Sequence, residues 1–191
     1  MQGTIVEQFP TVSTPRIQAP ASTAENAPYL LPHIRELRPT SAVDYGCGES
    51  RFFEVLRHAG VTRVARYDRT IPAFSRRPQG FYDLLLSIDM LQGVADDDLD
   101  SVMADMARLA RQAIIVVDTE RDTSQTHRPG EWWQSKLQGY FPYLEPIRVR
   151  SRGQVAFRTW PTRATARPKL WLTFFTEERR YRLAKLGFGR A

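Results

Sequence analysis

The sequence predicts an α/β protein with a three-layer, mainly parallel sheet and an antiparallel C-terminal hairpin. Four short runs, at 41–46, 61–68, 82–89 and 113–120, are apolar or rich in β-branched residues, as expected of buried strands. Helix-like segments lie between most of these runs, and strands that alternate with helices are typical of parallel sheets. A final strand pair at 146–160 turns at Arg152–Gly153, which predicts the closing hairpin.

The length and composition predict one domain with an extension at each end. The chain has 191 residues, of which 42% are hydrophobic and 11% aromatic, which is enough for a real core. Residues 1–25 are rich in Pro, Ser and Thr, show no periodicity and are expected to form an extended arm. Residues 26–160 would form the domain, and residues 161–191 a basic, aromatic-rich extension.

The first half of the domain is expected to hold two helices and two strands. Residues 26–39 predict a short helix, with Pro32 near its start or kinking it. After the 41–46 strand, residues 50–60 predict a helix that closes at Gly60. The next strand, at 61–68, ends in an acid.

The second half begins with a loop and continues with the clearest helix of the chain. Residues 69–81 form a thirteen-residue connection with two prolines. Residues 96–112 predict a helix, because three aspartates suit its N-terminus and one apolar stripe follows them. Residues 129–141 also predict a helix, which follows the 113–120 strand and a polar loop.

Two glycines stand where the first strand turns into the following helix, in the stretch VDYGCGES. Gly46 and Gly48 allow a sharp turn and a close approach of the backbone to a ligand. Asp68 lies twenty residues past Gly48, and a carboxylate there can accept hydrogen bonds from ribose hydroxyls. Arg51 stands where a dinucleotide fingerprint needs glycine, and the chain has no P-loop motif. These observations favour a nucleoside-like ligand other than NAD.

The stretch VDYGCGES resembles motif I of the class I S-adenosylmethionine-dependent methyltransferases, in which an apolar pair and an acid precede G-x-G-x-G. RYD resembles the acidic end of that family's second strand. Residues 80–122 resemble its fourth strand, the following helix and the fifth strand. The resemblance covers roughly residues 28–160 and implies a Rossmann-like methyltransferase sheet.

The resemblance implies S-adenosylmethionine as the cofactor. Asp44, Gly46 and Gly48 would shape the methionine end of its site, and Asp68 would hold the ribose. Asp89 and Met90 would line the near wall. The residues expected to bind the cofactor are Asp44, Tyr45, Gly46, Cys47, Gly48, Asp68, Arg69, Asp89 and Met90.

Three features depart from the family pattern. Ser50 replaces the third glycine, a position that tolerates a small residue. Gln92–Gly93 stands where Glu-His is common. The 69–81 loop is too short for the usual helix and third strand, so the sheet is expected to be abbreviated there. Ile71 and Phe74 would then cover the adenine.

Asp89 and His127 are the candidate catalytic residues. Methyl transfer depends mainly on alignment of the acceptor, and a general base helps when the acceptor is a hydroxyl or a protonated amine. Asp89 ends a central strand, and the alternative role for it is to orient the cofactor. His127 lies in a polar loop, where a surface position is the alternative. Asp118, at the end of the next strand, resembles Asp89 in placement.

The positive charge is concentrated at the C-terminal end. Residues 148–191 hold twelve Lys/Arg and two acids, a net charge of +10, so residues 1–147 carry −4 of the overall +6. Arginines interleaved with aromatics suit phosphate neutralisation and base stacking, which predicts a nucleic acid or an acidic protein as partner. A helix packed on the sheet with its arginines outward is the alternative. Self-association is left open.

The sequence therefore predicts a methyltransferase whose acceptor is undetermined, with an anionic or aromatic acceptor such as nucleic acid favoured. One alternative is a methyltransferase-like binding or assembly subunit without catalysis, and another is a methyltransferase for a small metabolite or sugar. The single cysteine, Cys47, excludes an intrachain disulfide and a Cys-rich zinc site, and no metal is expected. The absence of a secretion-signal layout and of a ~20-residue apolar run predicts a cytoplasmic location.

Overall fold

A computed structural model describes residues 22–120 and 128–162, which form four helices and six strands. The helices are α1 (Ser22–Leu37), α2 (Phe52–His58), α3 (Asp96–Leu109) and α4 (Gly130–Gln138). The strands are β1 (Ser41–Tyr45), β2 (Arg63–Tyr67), β3 (Tyr82–Ile88), β4 (Ala110–Asp118), β5 (Glu145–Pro146) and β6 (Gln154–Arg158).

The six strands form one sheet in the order β2-β1-β3-β4-β6-β5. The first four strands in this order pair in parallel, and β6 pairs antiparallel with both β4 and β5. This confirms the predicted fold class. The chain moves outward to β2 after β1 and then to the other side with β3 and β4, so the strand order reverses between β1 and β3. Ligands of open parallel sheets bind at such a reversal, beyond the carboxyl ends of the strands.

Helices cover both faces of the sheet and make the three predicted layers. Buried side chains of α1 and α2 pack on one face, and those of α3 and α4 pack on the other. The 0%-exposed Trp133 of α4 lies in the second of these cores, while Trp132 is only partly buried. Each parallel strand is buried on both sides except β2, which forms one edge of the sheet.

The sheet is abbreviated beyond β2, as the short 69–81 connection predicts. Between β2 and β3 the chain forms only a short 3₁₀ turn at Pro72–Phe74, whose Phe74 carbonyl accepts a hydrogen bond from the Asp68 N–H at 3.0 Å. Within 22–120 and 128–162, no strand lies outside β2.

Several boundaries differ from the sequence prediction. Helix α1 begins at Ser22, inside the predicted arm, and contains both Pro28 and Pro32. Strand β4 begins at Ala110 rather than at 113, directly after α3. The predicted hairpin forms and turns at Arg152–Gly153, where the Gln154 N–H donates to the Ser151 carbonyl at 3.3 Å, but its first strand is only the two-residue β5.

A buried ion-pair cluster joins α1 to the antiparallel edge of the sheet. Arg158 of β6 is fully buried. Its guanidinium donates hydrogen bonds to Nδ1 of His33 at 3.0 Å, to Glu36 at 2.8 Å and to Glu145 at 3.0 Å. Burial, reinforced by Arg158, lowers the pKa of His33 to about 3, so its imidazole is neutral at physiological pH. The sequence pattern indicates no role for His33.

Candidate active site

The glycine turn lies at the carboxyl end of β1, where the strand order reverses. Gly46 has φ +76° and Gly48 has φ +52°, both in the left-handed region that favours glycine. The backbone N–H groups of Gly46 and Cys47 donate to the Tyr67 carbonyl at 2.7 and 3.0 Å. The turn is therefore fastened to the end of β2.

Met90 is the reason why residue 46 has no room for a side chain. A Cβ on Gly46 would lie 2.2 Å from Cγ of Met90. Met90 follows β3 directly, so the turns after β1 and β3 meet at the reversal point. The residue before it, Asp89, also has a left-handed backbone, with φ +53°. Left-handed non-glycine residues cluster at functional sites, where the surrounding structure holds them in place.

We expect Gly46→Ala to destabilise the fold by roughly 1–2 kcal/mol from backbone strain alone, with a further cost from the displacement of Met90. The matched control is Gly60→Ala, because Gly60 has φ +94° but no atom lies within 4 Å of the Cβ that the substitution would add. Denaturant unfolding of both variants measures the difference. Equal losses of stability would show that Met90 does not pack against the turn.

Asp68 connects the second strand to the glycine turn. Its Oδ2 accepts the Gly48 N–H at 2.9 Å, and its Oδ1 accepts the N–H and hydroxyl of Thr70 at 2.9 and 2.6 Å. A carboxylate offers about four acceptor positions, so one remains available to a ligand. The predicted ribose-binding acid thus lies against the glycine turn.

Asp44 presents a buried carboxylate beside the same turn. It is 2% exposed, and its Oδ2 has no hydrogen-bond partner. Burial raises the pKa of Asp44 to about 7; Arg66 opposes this shift and Asp68 adds to it. An unpartnered buried carboxylate is costly for the fold, and a cationic ligand group would remove that cost.

Arg66 braces the far side of the glycine turn. Its guanidinium donates to the carbonyls of Gly48 and Ser50 at 3.1 and 2.7 Å. The ring of Phe74 lies 3.8 Å from its guanidinium carbon, so this predicted adenine cover is stacked on Arg66. The Ser50 hydroxyl accepts the Phe52 N–H at 3.1 Å, so the serine in place of a third glycine bonds to the first residue of α2.

Asp89 is held by a buried chain of amides. Both of its carboxylate oxygens accept from Nε2 of Gln154, at 2.8 and 3.0 Å. The Gln154 carbonyl oxygen accepts from the Asn26 amide at 3.0 Å, and Asn26 accepts the Arg150 N–H at 3.2 Å. Asn26, Gln154 and Asp89 are 0%, 7% and 8% exposed. This chain links α1, β6 and the end of β3, and it fixes the orientation of Asp89.

The other predicted site residues lie apart from this cluster or contribute mainly backbone. The Tyr45 hydroxyl donates to Asp105 of α3 at 2.9 Å, so its side chain lies in the core between the sheet and α3. Cys47 is buried, and burial raises the pKa of its thiol to about 12, which rules out a thiolate nucleophile. Arg69 is exposed next to Asp68. His127 lies outside the described residues.

Two classes of feature are missing from the part of the chain that the structure describes. Residues 22–120 and 128–162 contain no group of three or more His, Cys, Asp or Glu side chains that could hold a metal ion. In the same ranges, no helix has the length and apolarity needed to cross a bilayer.

Asp118 accepts the N–H of Glu120 at 3.0 Å and lies at the end of β4, one strand away from Asp89.

Comparison with solved structures identifies the architecture. No family model matches the sequence, and no curated protein matches it significantly. The methyltransferase domain of bacterial CtHen1 superposes with a TM-score of 0.55 at 10% identity, over 72% of this chain and 98% of that one. The chain has the class I methyltransferase fold. The mitomycin 7-O-methyltransferase MmcR gives 0.53 at 14% identity, over 72% of this chain and 53% of that one.

A third methyltransferase-fold neighbour is PigF, whose structure contains SAH. It gives a TM-score of 0.54 at 11% identity, over 73% of this chain and 55% of that one. The fold accounts for the position of the glycine turn at the strand reversal, where Asp44, Asp68 and Met90 also lie.

The sequence prediction misses three residues near the site, Arg66, Gln154 and Asn26. No local motif marks them, because each acts through a contact with a distant segment.

Proposed function

We propose that this protein binds S-adenosylmethionine and transfers its methyl group to an acceptor. One observation carries the proposal: an unpartnered, buried carboxylate oxygen of Asp44 lies beside a left-handed glycine turn at the sheet's reversal point. This combination suits a ligand that brings a positive charge to a closely approached backbone. The SAH in the PigF structure adds support from a protein of the same fold.

Different residues of the turn region would contact different parts of the proposed cofactor. Asp44, Gly46 and Gly48 take the methionine end, where the Asp44 carboxylate faces the ammonium group. Asp68 takes the ribose through its remaining acceptor position. Met90 forms the near wall. Three further residues, Tyr45, Cys47 and Arg69, border the same turn.

The bound sulfonium supplies an electrophilic methyl group. The chain's contribution is then to hold the acceptor in line with that methyl and to exclude water, since alignment supplies most of the rate. Asp89 is fixed by Gln154 at the end of β3, and we assign it the role of orienting the reactants or accepting a proton from the acceptor. His127, between β4 and α4 in the sequence, is a second candidate base.

The favoured acceptor is anionic or aromatic, such as a nucleic acid, because residues 148–191 interleave arginines with aromatics. The same segment is proposed to bind a nucleic acid or an acidic protein. A small metabolite or sugar is the alternative acceptor. The proposed extensions are residues 161–191 and the part of 1–25 that precedes α1, and the proposed place of action is the cytoplasm.

A second candidate function is a binding or assembly subunit that holds the cofactor without transferring its methyl group. Gln92–Gly93 favours it, because it stands where Glu-His is common in the family, and the 4%-exposed Gln92 presents no titratable group. Transfer of radiolabelled methyl groups to an oligonucleotide, an aromatic hydroxyl compound and a sugar separates the two. If the wild type labels one of these acceptors and Asp89→Asn does not, the protein is an enzyme. If the wild type binds the cofactor but labels none of the acceptors, the result supports the binding or assembly subunit.

We expect Asp68→Ala to weaken S-adenosylmethionine binding by about 1–3 kcal/mol, because charge-assisted hydrogen bonds to the ligand are lost. Calorimetric titration measures the affinity. The matched control is Asp83→Ala near the amino end of β3, where Asp83 accepts from Thr40 and Ser41 at 2.7–3.1 Å. Asp83→Ala is expected to cost stability and leave the affinity unchanged. If Asp68→Ala binds S-adenosylmethionine as tightly as the wild type does, the cofactor site does not include Asp68.

A further inference from the structure

An arginine-lined cleft of about 320 Å³ lies along the outer edge of β2. It occupies the side of the sheet on which no described strand follows β2. The cleft is lined by Ala65, Arg66, Arg76, Arg77, Pro78 and Gln79. Three of these six residues are arginines, so the cleft is suited to an anion.

The positive charge of this edge is only partly neutralised. Residues 51–77 contain seven arginines and two acids, a net charge of +5. Of the two acids, Glu54 pairs with Arg51, and Asp68 is engaged with the glycine turn and Thr70. Arg76 is exposed, and none of the ion pairs among the described residues includes it. Arg77 pairs with Asp105, and its side chain is 42% exposed.

An exposed aromatic residue follows the cleft residues in the sequence, two positions after Gln79. Phe81 is 53% exposed, and Tyr143, at 41%, is the other exposed large hydrophobic residue in the described parts of the chain. The Phe81 carbonyl accepts from the guanidinium of Arg63 at 2.7 Å, and that guanidinium stacks on Tyr82 at 4.5 Å. This bond ties the Phe81 backbone to Arg63 at the start of β2, and the Phe81 ring is largely in solvent.

We propose that this edge binds single-stranded nucleic acid, with Arg76 and Arg77 on phosphates and Phe81 stacked on a base. Positive grooves with exposed aromatics bind single strands in this way. Charges on an edge strand also prevent strand pairing, but that role needs no exposed aromatic. A second copy paired edge to edge would bring arginine against arginine. The residues of this surface lie outside the 148–191 segment in the sequence, and the proposal does not depend on methyl transfer.

Fluorescence anisotropy of a labelled 12-nucleotide single strand with the full chain tests the proposal. We expect the affinity to fall with salt, and roughly three phosphate contacts at the β2 edge to contribute about −2 to the slope. Arg76→Glu/Arg77→Glu should weaken binding at least tenfold and flatten that slope, by loss of about two contacts. Phe81→Ala should weaken it about 5-fold or more through loss of stacking. The matched controls are Arg111→Glu and Tyr143→Ala, both expected to bind as the wild type does.

Two results would overturn the proposal. If the double arginine variant binds the oligonucleotide as tightly as Arg111→Glu does, the β2 edge is not the binding surface. If an acidic peptide binds as tightly as the oligonucleotide and Phe81→Ala changes neither affinity, the surface accepts an acidic protein. Titration of the double arginine variant with S-adenosylmethionine keeps this proposal distinct from the cofactor site, because that affinity is expected to be unchanged.

Discussion

Arg158→Ala is expected to lower the free energy of unfolding by about 3–5 kcal/mol, the largest effect of any single side chain that we assign. Arg158 is fully buried and donates to Glu36 and Glu145. Its removal leaves two carboxylates near the sheet without their cation, and it also removes the donor to Nδ1 of His33. Urea denaturation of the variant and the wild type measures the loss.

Arg111→Ala is the matched control for this experiment. Arg111 lies on the neighbouring strand β4 but is exposed, and surface substitutions usually change stability by no more than about 0.5 kcal/mol. A loss below about 1 kcal/mol in Arg158→Ala would contradict the cluster as described. The cofactor affinity of the folded Arg158→Ala protein should match that of the wild type, because Arg158 pairs with Ile114 rather than with the carboxyl end of β4.

Asp44→Asn is expected to remove a large pH dependence of stability. The pKa of Asp44 is raised from 3.8 to about 7 in the fold, so between these values the unfolded chain has released a proton that the folded chain retains. The wild type should therefore lose stability as pH rises from 4 to 7, and no further above 7 from this group. At roughly 1.36 kcal/mol per pKa unit, the loss is up to about 4 kcal/mol.

Denaturant unfolding at pH 4, 5, 6, 7 and 8 measures this loss as the difference between the wild type and Asp44→Asn. Other titrating groups, such as His33 and Glu145, are common to both proteins and cancel in the difference. Stability curves that run parallel across this range would show that Asp44 ionises normally. A cationic ligand selects the ionised carboxylate, so S-adenosylmethionine affinity should also rise between pH 6 and 8 in the wild type and stay flat in Asp44→Asn.

Local spacing is enough to predict the glycine turn and the four strands of the mainly parallel sheet. The turn needs two left-handed residues directly after a strand, and only glycine fills both positions easily. The missing third strand follows from the length of 69–81, which is too short for a helix and a strand. The sequence also predicts that Ser50 is tolerated, and the structure adds that its hydroxyl accepts the N–H of Phe52, the first residue of α2.

Contacts between distant segments cannot be predicted in the same way. Asn26 and Gln154 are 128 residues apart in sequence, yet their amides form one hydrogen-bonded chain with Asp89. Nothing in the local pattern of either residue indicates that chain. The Arg150 N–H also bonds to Asn26, so a second contact of the same kind joins α1 to the distant segment that leads into β6. Propensity alone does not record such contacts.

Isothermal titration calorimetry with S-adenosylmethionine and S-adenosylhomocysteine tests the central claim most directly. Run at pH 7 in two buffers of different ionisation enthalpy, with Asp68→Ala and Asp83→Ala alongside, it reports both affinity and proton release. We expect saturable binding of both ligands, weakened in Asp68→Ala alone. Proton release should appear near pH 7 as Asp44 ionises. Absence of binding by the folded wild type at millimolar ligand would contradict the assignment of this site.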